Sequence, residues 1–279
     1  MNGRAITALM RKDIRAIATS TQMWVPMLIV PLLFIVLLPG AFLILGRTLN
    51  LAVDQDDMQF IQQLLGGIPQ GALRTQIESF GTLNAQLVYL MINFLFAPLF
   101  LMVPVMASSI VAAAAFVGEK EKRTLETLLF TPLSEMELFL GKMLAAFVPA
   151  LVVSWGGFLV FTAEFMILGA PLFGQPVLPA PHWLAIILCL VPALSLLMVF
   201  LNVLVSAKVK GYQEAQQLSV FVILPILFLL YGQIGGIVFL STPLLLMCGF
   251  GVFLLDAVLV QFVVKRFNRD KLFRMQVSS

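Results

Sequence analysis

The sequence predicts an all-α integral membrane protein with six transmembrane helices, and three observations carry this prediction. Hydrophobic residues make up 61% of the 279 residues and charged residues 11%, whereas a soluble domain carries about 25% charged residues. Six apolar stretches are long enough to cross a hydrocarbon core, which takes about 20 helical residues. Lys and Arg are distributed very unevenly among the connections between these stretches. A water-soluble fold is excluded, because the polar surface that would solvate it is missing.

Residues 1–20 predict a basic amphipathic helix. At about 100° per residue, its apolar face carries Ile6, Leu9, Met10, Ile14 and Ile17, and its opposite face carries Arg4, Arg11, Lys12 and Arg15. Asp13 is an exception, because it falls on the apolar face. A basic amphipathic helix directly before a span is expected to lie in the membrane interface, with its cations toward anionic headgroups.

Span one is predicted near residues 24–45. This run of 22 residues is longer than the roughly 7–15 apolar residues of a signal peptide, so a retained span is expected. Pro26, Pro31 and Pro39 lie within it and predict kinks, which membrane helices tolerate when neighbours satisfy the freed carbonyls. Residues 46–86 then form the longest polar region, which is expected to be an extracytoplasmic loop.

The remaining spans are predicted at 87–117, 143–168, 183–206, 218–240 and 244–264. The later half of span two, residues 107–115, is rich in small residues, and this composition favours close helix packing. Spans five and six are joined by a tight turn at Ser241-Thr242-Pro243. Little room is left there for a full pair of re-entrant helices.

The charges predict the orientation of the chain. With the N-terminus inside and six spans, the inner segments hold fifteen of the 17 Lys and Arg residues, and the outer segments hold only Arg47 and Arg74. This bias follows the positive-inside rule. Both termini and the connection between spans two and three, residues 118–142, are therefore expected in the cytoplasm.

Segment 118–142 is the most charged part of the chain. The cluster 119–123 is followed by an apolar run with Leu128 and Leu129, and then by a break at Thr131-Pro132. Ser134 and Glu137 have the spacing of a capping box, which predicts the start of the helix that becomes span three. A short helix with Leu at i, i+3 and i+4 among charges suits a groove on a soluble partner. An ordinary solvated loop is the alternative.

The run from Glu119 to Ser134, EKEKRTLETLLFTPLS, followed by Gly141-Lys142, resembles the coupling-helix signature of type-2 ABC exporter permeases. In that family the membrane subunit docks this helix into a cleft of a separate ATPase subunit. The resemblance implies the coupling residues Glu119, Glu121, Arg123, Thr124, Glu126, Leu128, Leu129 and Pro132. Arg123 stands where the family often has Gly. A second segment, Gln213-Glu214-Ala215-Gln216, resembles the second cytoplasmic loop of the same family.

The resemblance also implies a function and its partners. It implies a single permease domain over residues 1–279, with the N-terminal helix as an interfacial elbow and 118–142 as a cytoplasmic coupling segment. The implied function is ATP-driven export of a hydrophobic or amphipathic substrate or an ion. ATP and Mg²⁺ would be bound by the partner ATPase, and a second permease copy or a paralogue would complete the dimer. The implied location is the plasma membrane of a bacterium or archaeon.

Catalytic motifs are absent from the sequence. Gly141-Lys142 is followed by Met, and position 136 is not Gly, so there is no P-loop. No zinc-protease, hydrolase-elbow or paired-cysteine motif occurs. No catalytic residue, metal site or cofactor is therefore expected in this chain, and a nucleotide site must come from a second polypeptide. His182, at a span end beside Trp183, is expected at headgroup level.

Two acids fall within the predicted spans, and they are the candidate lining of a substrate path. Asp256 lies near the middle of span six, and Glu164 lies in the outer third of span three. A charge at the bilayer centre costs about 2.5–3.5 kcal/mol on insertion scales, so both are expected to face a cavity or a partner. A structural hydrogen bond to another span is the other possibility.

Two further classes of function remain open from the residues. An ion-gradient-driven secondary transporter would use Asp256 as its coupling carboxylate, although such transporters have internal repeats that are not evident here. A membrane enzyme acting on lipid would need a nucleophile and a base, and no such pair stands out. The sequence does not identify the transported substrate.

Overall fold

The computed structural model describes residues 3–48, 58–59, 62, 65–66, 68, 71–118, 134–206, 209, 211–217, 219–234 and 240–266. Within these residues the regular structure is helical and no strand occurs. Six helical segments are long and apolar enough to cross a membrane: Met23–Thr48, Leu83–Gly118, Met136–Phe173, His182–Ser206, Tyr212–Ile234 and Thr242–Val263. They are spans one to six. The prediction of an all-α, multi-pass membrane protein is confirmed.

Span two is the central helix of the bundle. Of its most apolar 18 residues 83% are buried, against 61% for span four and at most 28% for each of the other spans. The predicted small-residue stretch is part of the reason, because Ala107, Ala112 and Ala113 let neighbouring helices approach closely and are almost fully buried. The other four spans surround this centre and keep exposed apolar faces, as lipid-facing helices do.

The N-terminal helix, Gly3–Thr19, packs on protein through its apolar face. Ile6, Leu9 and Ile17 are buried, together with Asp13. Gly141 in span three explains the close contact, since a Cβ there would collide with the side chain of Leu9. The apolar face thus covers the base of span three, whereas a purely interfacial helix would turn it toward lipid. The interfacial location of this helix stays a prediction.

Span three begins earlier than its apolar residues indicate. It belongs to one helix, Glu135–Phe173, of 39 residues, which is about 58 Å long at 1.5 Å per residue. Because a hydrocarbon core is only about 30 Å thick, this helix extends beyond the membrane. It ends at Gly174, whose φ of 76° is the left-handed C-cap conformation that glycine adopts most easily.

Spans five and six also differ from their predicted bounds. Span five consists of a short helix, Tyr212–Gln216, and a main helix, Ser219–Ile234, which ends before the predicted limit at 240. The span six helix runs over Thr242–Arg266. Residues 235–239, between these two helices, lie outside the described residues, and the expectation that little room is left there for a re-entrant pair stays a prediction. The end that carries the N-terminal helix, Gly118, Ser134 and the Tyr212–Gln216 helix is the basic side, and the opposite end is the far side.

The described part of the predicted 46–86 loop packs on the far side of the bundle. Its described part includes a helix, Ala72–Glu78, in which the Arg74 Nε donates to the Glu78 carboxylate over 2.8 Å. Ile77 and Phe80 are buried in the main core. Thr82 caps the start of span two by accepting a hydrogen bond from the Ala85 N–H.

Asn93 in span two fixes the entry to span four. Its side-chain oxygen accepts from the Ala180 N–H over 2.7 Å, and its backbone oxygen lies 2.8 Å from His182 Nε2. Because a carbonyl only accepts, the imidazole donates through Nε2. His182 is buried and stacks on Phe94 with ring centroids 4.6 Å apart. His182 is the first residue of span four, and its ring faces the interior of the bundle; its expected depth at headgroup level stays a prediction.

Aromatic rings fill the far-side half of the core around Trp183. The centroid of its ring lies 5.3 Å from Phe100, 5.7 Å from Phe158 and 4.7 Å from Phe161. The cluster continues through Phe165, Phe173, Tyr89 and Phe80. Rings in edge-to-face and offset contacts stabilise a core beyond their buried area, so spans two, three and four form one packed unit on this side.

Among the described residues, the spans contain four π-helical turns: Leu32–Leu37, Met91–Leu95, Ala113–Gly118 and Ile186–Leu190. In three of them a backbone oxygen accepts a hydrogen bond from a side chain of another helix. The acceptors are Asn93, Ala115 and Ile187, and the donors are His182, Lys142 and Trp155. A π-helical turn directs a backbone carbonyl away from the regular hydrogen bonds of the helix. Within a membrane, a neighbouring helix must then supply the donor.

We expect Asn93→Ala to lower the thermal stability of the detergent-solubilised protein. The change leaves the buried Ala180 N–H without its acceptor, which costs about 1–3 kcal/mol. Asn202→Ala is the matched control, because the described bond of that buried amide goes to Met198 in its own helix. Thermal unfolding followed by intrinsic fluorescence measures both. An equal loss in the two variants would contradict the role given to Asn93.

Candidate functional site

The predicted coupling residues Glu119, Glu121, Arg123, Thr124, Glu126, Leu128, Leu129 and Pro132 all lie outside the described residues. The structure does describe both ends of their segment, Gly118 and Ser134, and the helices packed around these ends. We call Gly118, Ser134 and the helices packed around them the mount of the 119–133 segment.

The capping box forms the mount on the span three side. The Glu137 N–H donates to Ser134 Oγ over 3.3 Å, and the Ser134 N–H donates to Glu137 Oε2 over 3.0 Å. The reciprocal pair confirms the predicted helix start and satisfies two backbone donors that a helix end otherwise leaves open. The exit of the 119–133 segment is thereby fixed at a defined residue.

Lys142 forms the mount on the span two side. Its side chain is 1% exposed, its Nζ donates to the backbone oxygen of Ala115, and the same Nζ lies 5.7 Å from the centroid of the Phe116 ring. Ala115 belongs to the last described turn of span two, the π-helical turn Ala113–Gly118. A buried ammonium group needs such partners, because burying a charge alone is very costly.

The N-terminal helix adds a third element to the mount. Leu9 lies against Gly141, the residue before Lys142. Ile17 joins Val111 and Phe139 in one apolar cluster. Asp13 is 6% exposed, and its carboxylate lies 3.4 Å from Lys12 Nζ. The apolar face of this helix therefore holds a carboxylate beside the base of span three.

The second loop, which contains the Tyr212–Gln216 helix, packs on the Ala113–Gly118 turn of span two. Ala215 in the Tyr212–Gln216 helix is buried against Ala113 and Val117, and Val209 and Tyr212 pack around them. Glu214 is exposed on the other side of this short helix. The segment that resembles the family's second cytoplasmic loop thus lies beside one end of the segment that resembles the coupling helix.

Asp256 is buried against span four. It is 4% exposed, and it shares a helix face with Gly249 and Val263, each seven residues away. A Cβ at Gly249 would collide with Cys189, and Val263 clusters with Val203. Neither carboxylate oxygen of Asp256 has a hydrogen-bond partner among the described residues.

Glu164 faces a different neighbour. Its carboxylate lies against Gly40 in span one, so closely that a Cβ at Gly40 would collide with it. The Glu164 Oε2 is buried without a hydrogen-bond partner in the described part of the chain. The two acids therefore pack against different spans, four and one, and form no carboxylate pair. Nor do the described residues contain a cluster of three or more side chains that could hold a metal ion.

Several buried polar side chains were not singled out from the sequence. Ser109, Ser154 and Gln233 each have a buried polar atom without a hydrogen-bond partner among the described residues. In the sequence prediction Lys142 appears only in the Gly141-Lys142 pair. Its burial is predictable from the sequence, because it lies within the apolar run LFLGKMLAAF, where a cation must find a partner inside the protein.

Comparison with known families is consistent with these features. A family model described as "ABC-2 family transporter protein" matches residues 7–255. The matched range includes most of the N-terminal helix, the first five spans and the first part of span six. A search of curated proteins finds no match.

We expect Asp256→Leu to raise the thermal stability of the solubilised protein. It removes a buried carboxyl without a described partner, and such a group costs about 1–3 kcal/mol when unsatisfied. Asp256→Asn keeps a polar group at the same place, so it should gain less. Thermal unfolding of the three proteins measures this, and a clear loss of stability in Asp256→Leu would show that the carboxyl makes a stabilising bond.

Proposed function

This chain belongs to the ABC-2 family of transporter proteins, and we propose that it is the transmembrane permease subunit of an ATP-driven exporter. The observation that carries the proposal is the family match over residues 7–255 on a bundle of six apolar spans. The chain itself has no P-loop motif, so a separate ATPase subunit binds ATP and Mg²⁺ and supplies the hydrolysis.

The 119–133 segment is the contact with that ATPase. Its charged residues and its Leu128-Leu129 pair dock as a short helix in a cleft of the partner, in the way of an amphipathic helix in a groove. The mount supports this role, because the segment leaves a buried turn of span two and enters span three at a capping box. A force applied to the segment would therefore act on the ends of two packed helices.

The proposed orientation places the basic side in the cytoplasm. Fifteen of the 17 Lys and Arg residues then lie inside, in agreement with the positive-inside rule. Arg4, Arg11 and Arg15 are exposed on the N-terminal helix, opposite its buried face, where they contact anionic headgroups. Both termini are inside, and the membrane is the plasma membrane of a bacterium or archaeon.

Export needs a second permease, which is another copy of this chain or a paralogue. Closure of the ATPase dimer on ATP pushes the coupling helices, and the two bundles then shift between two packings that open the path to opposite sides. Asp256 and Glu164 are the proposed polar contacts along this path. The proposed cargo is a hydrophobic or amphipathic compound or an ion, as the resemblance implies.

Co-purification from the native membrane is the decisive experiment. The protein is solubilised in mild detergent and captured by a tag, and the proteins that come with it are identified by mass spectrometry. We expect a stoichiometric ATPase that is lost when residues 119–132 are scrambled. A protein that purifies alone and moves solute in liposomes on an ion gradient would instead identify a secondary transporter that uses Asp256.

We expect Glu121→Lys and Leu128→Lys to uncouple ATP hydrolysis from transport while the protein still inserts. Each places a cation in the docking surface, where a reversed or desolvated charge costs several kcal/mol. Thr75→Lys is the matched control, since this exposed residue lies in the far-side helix. The measurement is ATP hydrolysis and transport by the complex in proteoliposomes. Normal transport by Leu128→Lys would contradict the docking role.

A further inference from the structure

Lys142 is a buried cation to which the proposed function assigns no role. It lies eight residues after the cap Ser134, which is about 12 Å along the helix at 1.5 Å per residue. At this depth it is 1% exposed, although Lys is almost never fully buried unless it is paired. Its described partners are the Ala115 backbone oxygen and the Phe116 ring, and both belong to the last turn of span two.

The bond from Lys142 closes a loop in the chain. Ala115 and Lys142 are 27 residues apart, and the whole 119–133 segment lies between them. A bond across the two ends of a loop fixes where the loop starts and where it ends. Without it, the last turn of span two and the first turns of span three could shift against each other.

Two other elements of the basic side pack close by, one on the Ala113–Gly118 turn and one on the residue before Lys142. The second loop packs on Ala113 and Val117. The N-terminal helix packs on Gly141, directly before Lys142 in the chain. The turn that accepts the Lys142 hydrogen bond therefore contacts both the start of span three and the second loop, and the N-terminal helix packs on the residue next to Lys142.

The widened turn explains why a lysine is suited to this place. Residues Ala113–Gly118 are π-helical, and single π-turns inside helices are frequent at functional sites. Two other π-turns receive donors from Trp155 and His182, whose side chains are rigid rings. Lys142 differs from these two donors because it carries a full charge, which makes its hydrogen bond to a carbonyl stronger.

We propose that Lys142 is a positioning residue that holds the end of span two in its π-helical turn and so sets the placement of the two described ends of the 119–133 segment, Gly118 and Ser134, relative to the second loop. The inference deepens the proposed function, because these are the two segments that would meet the ATPase. The placement itself is a property of this chain alone, so it is testable without a partner.

The test measures the placement directly. Cys189 and Cys248 are replaced by Ala, and spin labels are attached at Met136→Cys and Gln213→Cys, which are exposed positions on the span three base and the second-loop helix. Pulsed electron paramagnetic resonance in lipid nanodiscs gives the distance distribution between the labels. We expect a narrow distribution in the parent, loss of that narrow peak in Lys142→Met, and its return in Lys142→Arg, which keeps a charged donor.

Trp155→Phe is the matched control variant. Trp155 also lies in span three and also donates to a backbone oxygen in a π-turn, that of Ile187 over 3.1 Å, but it lies far from the basic side. Trp155→Phe should lower the thermal stability and leave the distance distribution narrow. The proposal is overturned if Lys142→Met keeps the parent distribution, or if Trp155→Phe broadens it as much, because the effect would then be general loosening.

A second measurement separates this inference from the proposed function. Capture of the tagged variants should recover less ATPase with Lys142→Met than with Trp155→Phe. If no variant, including the parent, recovers an ATPase, the proposed function fails while the distance result still decides the role of Lys142. If the parent recovers an ATPase and Lys142→Met recovers it equally with an unchanged distance distribution, the proposed function stands and the positioning role is wrong.

Discussion

The structure depends on one constraint, which is that a backbone carbonyl inside a bilayer finds no water to bond. Regular helices meet this constraint within themselves, but this chain departs from regular helix at several places. At Asn93, Ala115 and Ile187 the widened turns are satisfied by His182, Lys142 and Trp155 from neighbouring helices. Each irregularity therefore creates a specific bond between two helices. Apolar packing alone does little to fix the rotation of one lipid-exposed helix against another, and these hydrogen bonds fix it.

These bonds divide the bundle into two regions with different character. On the far side, Asn93 and the rings around Trp183 join spans two, three and four through many rigid contacts. On the basic side, the described contacts include the Lys142 bond to Ala115, the capping box at Ser134 and close packing at small residues such as Ala113 and Gly141.

The two buried acids, Asp256 and Glu164, lose hydration without gaining a described hydrogen bond, and this free-energy cost is not explained by packing. Asp256 and Glu164 each place a carboxylate oxygen in the bundle without a described partner, and a purely structural core would replace them with apolar residues of similar size. They also face different spans, so they do not stabilise each other. Retention of such groups within spans is typical of a pathway for a polar or charged group.

The sequence by itself determined the class of protein, the number of spans and the start of span three at Ser134. These follow from composition, length and local capping, which depend on residues close together in the chain. It also identified the 119–134 motif and with it the family. Tertiary structure decided the rest: that His182 is internal, that the apolar face of the N-terminal helix packs on Gly141, and that Lys142 closes the 119–133 loop. Each of these depends on contacts between distant residues, such as the 89 residues between Asn93 and His182, and no local pattern specifies which distant carbonyl a buried donor will find.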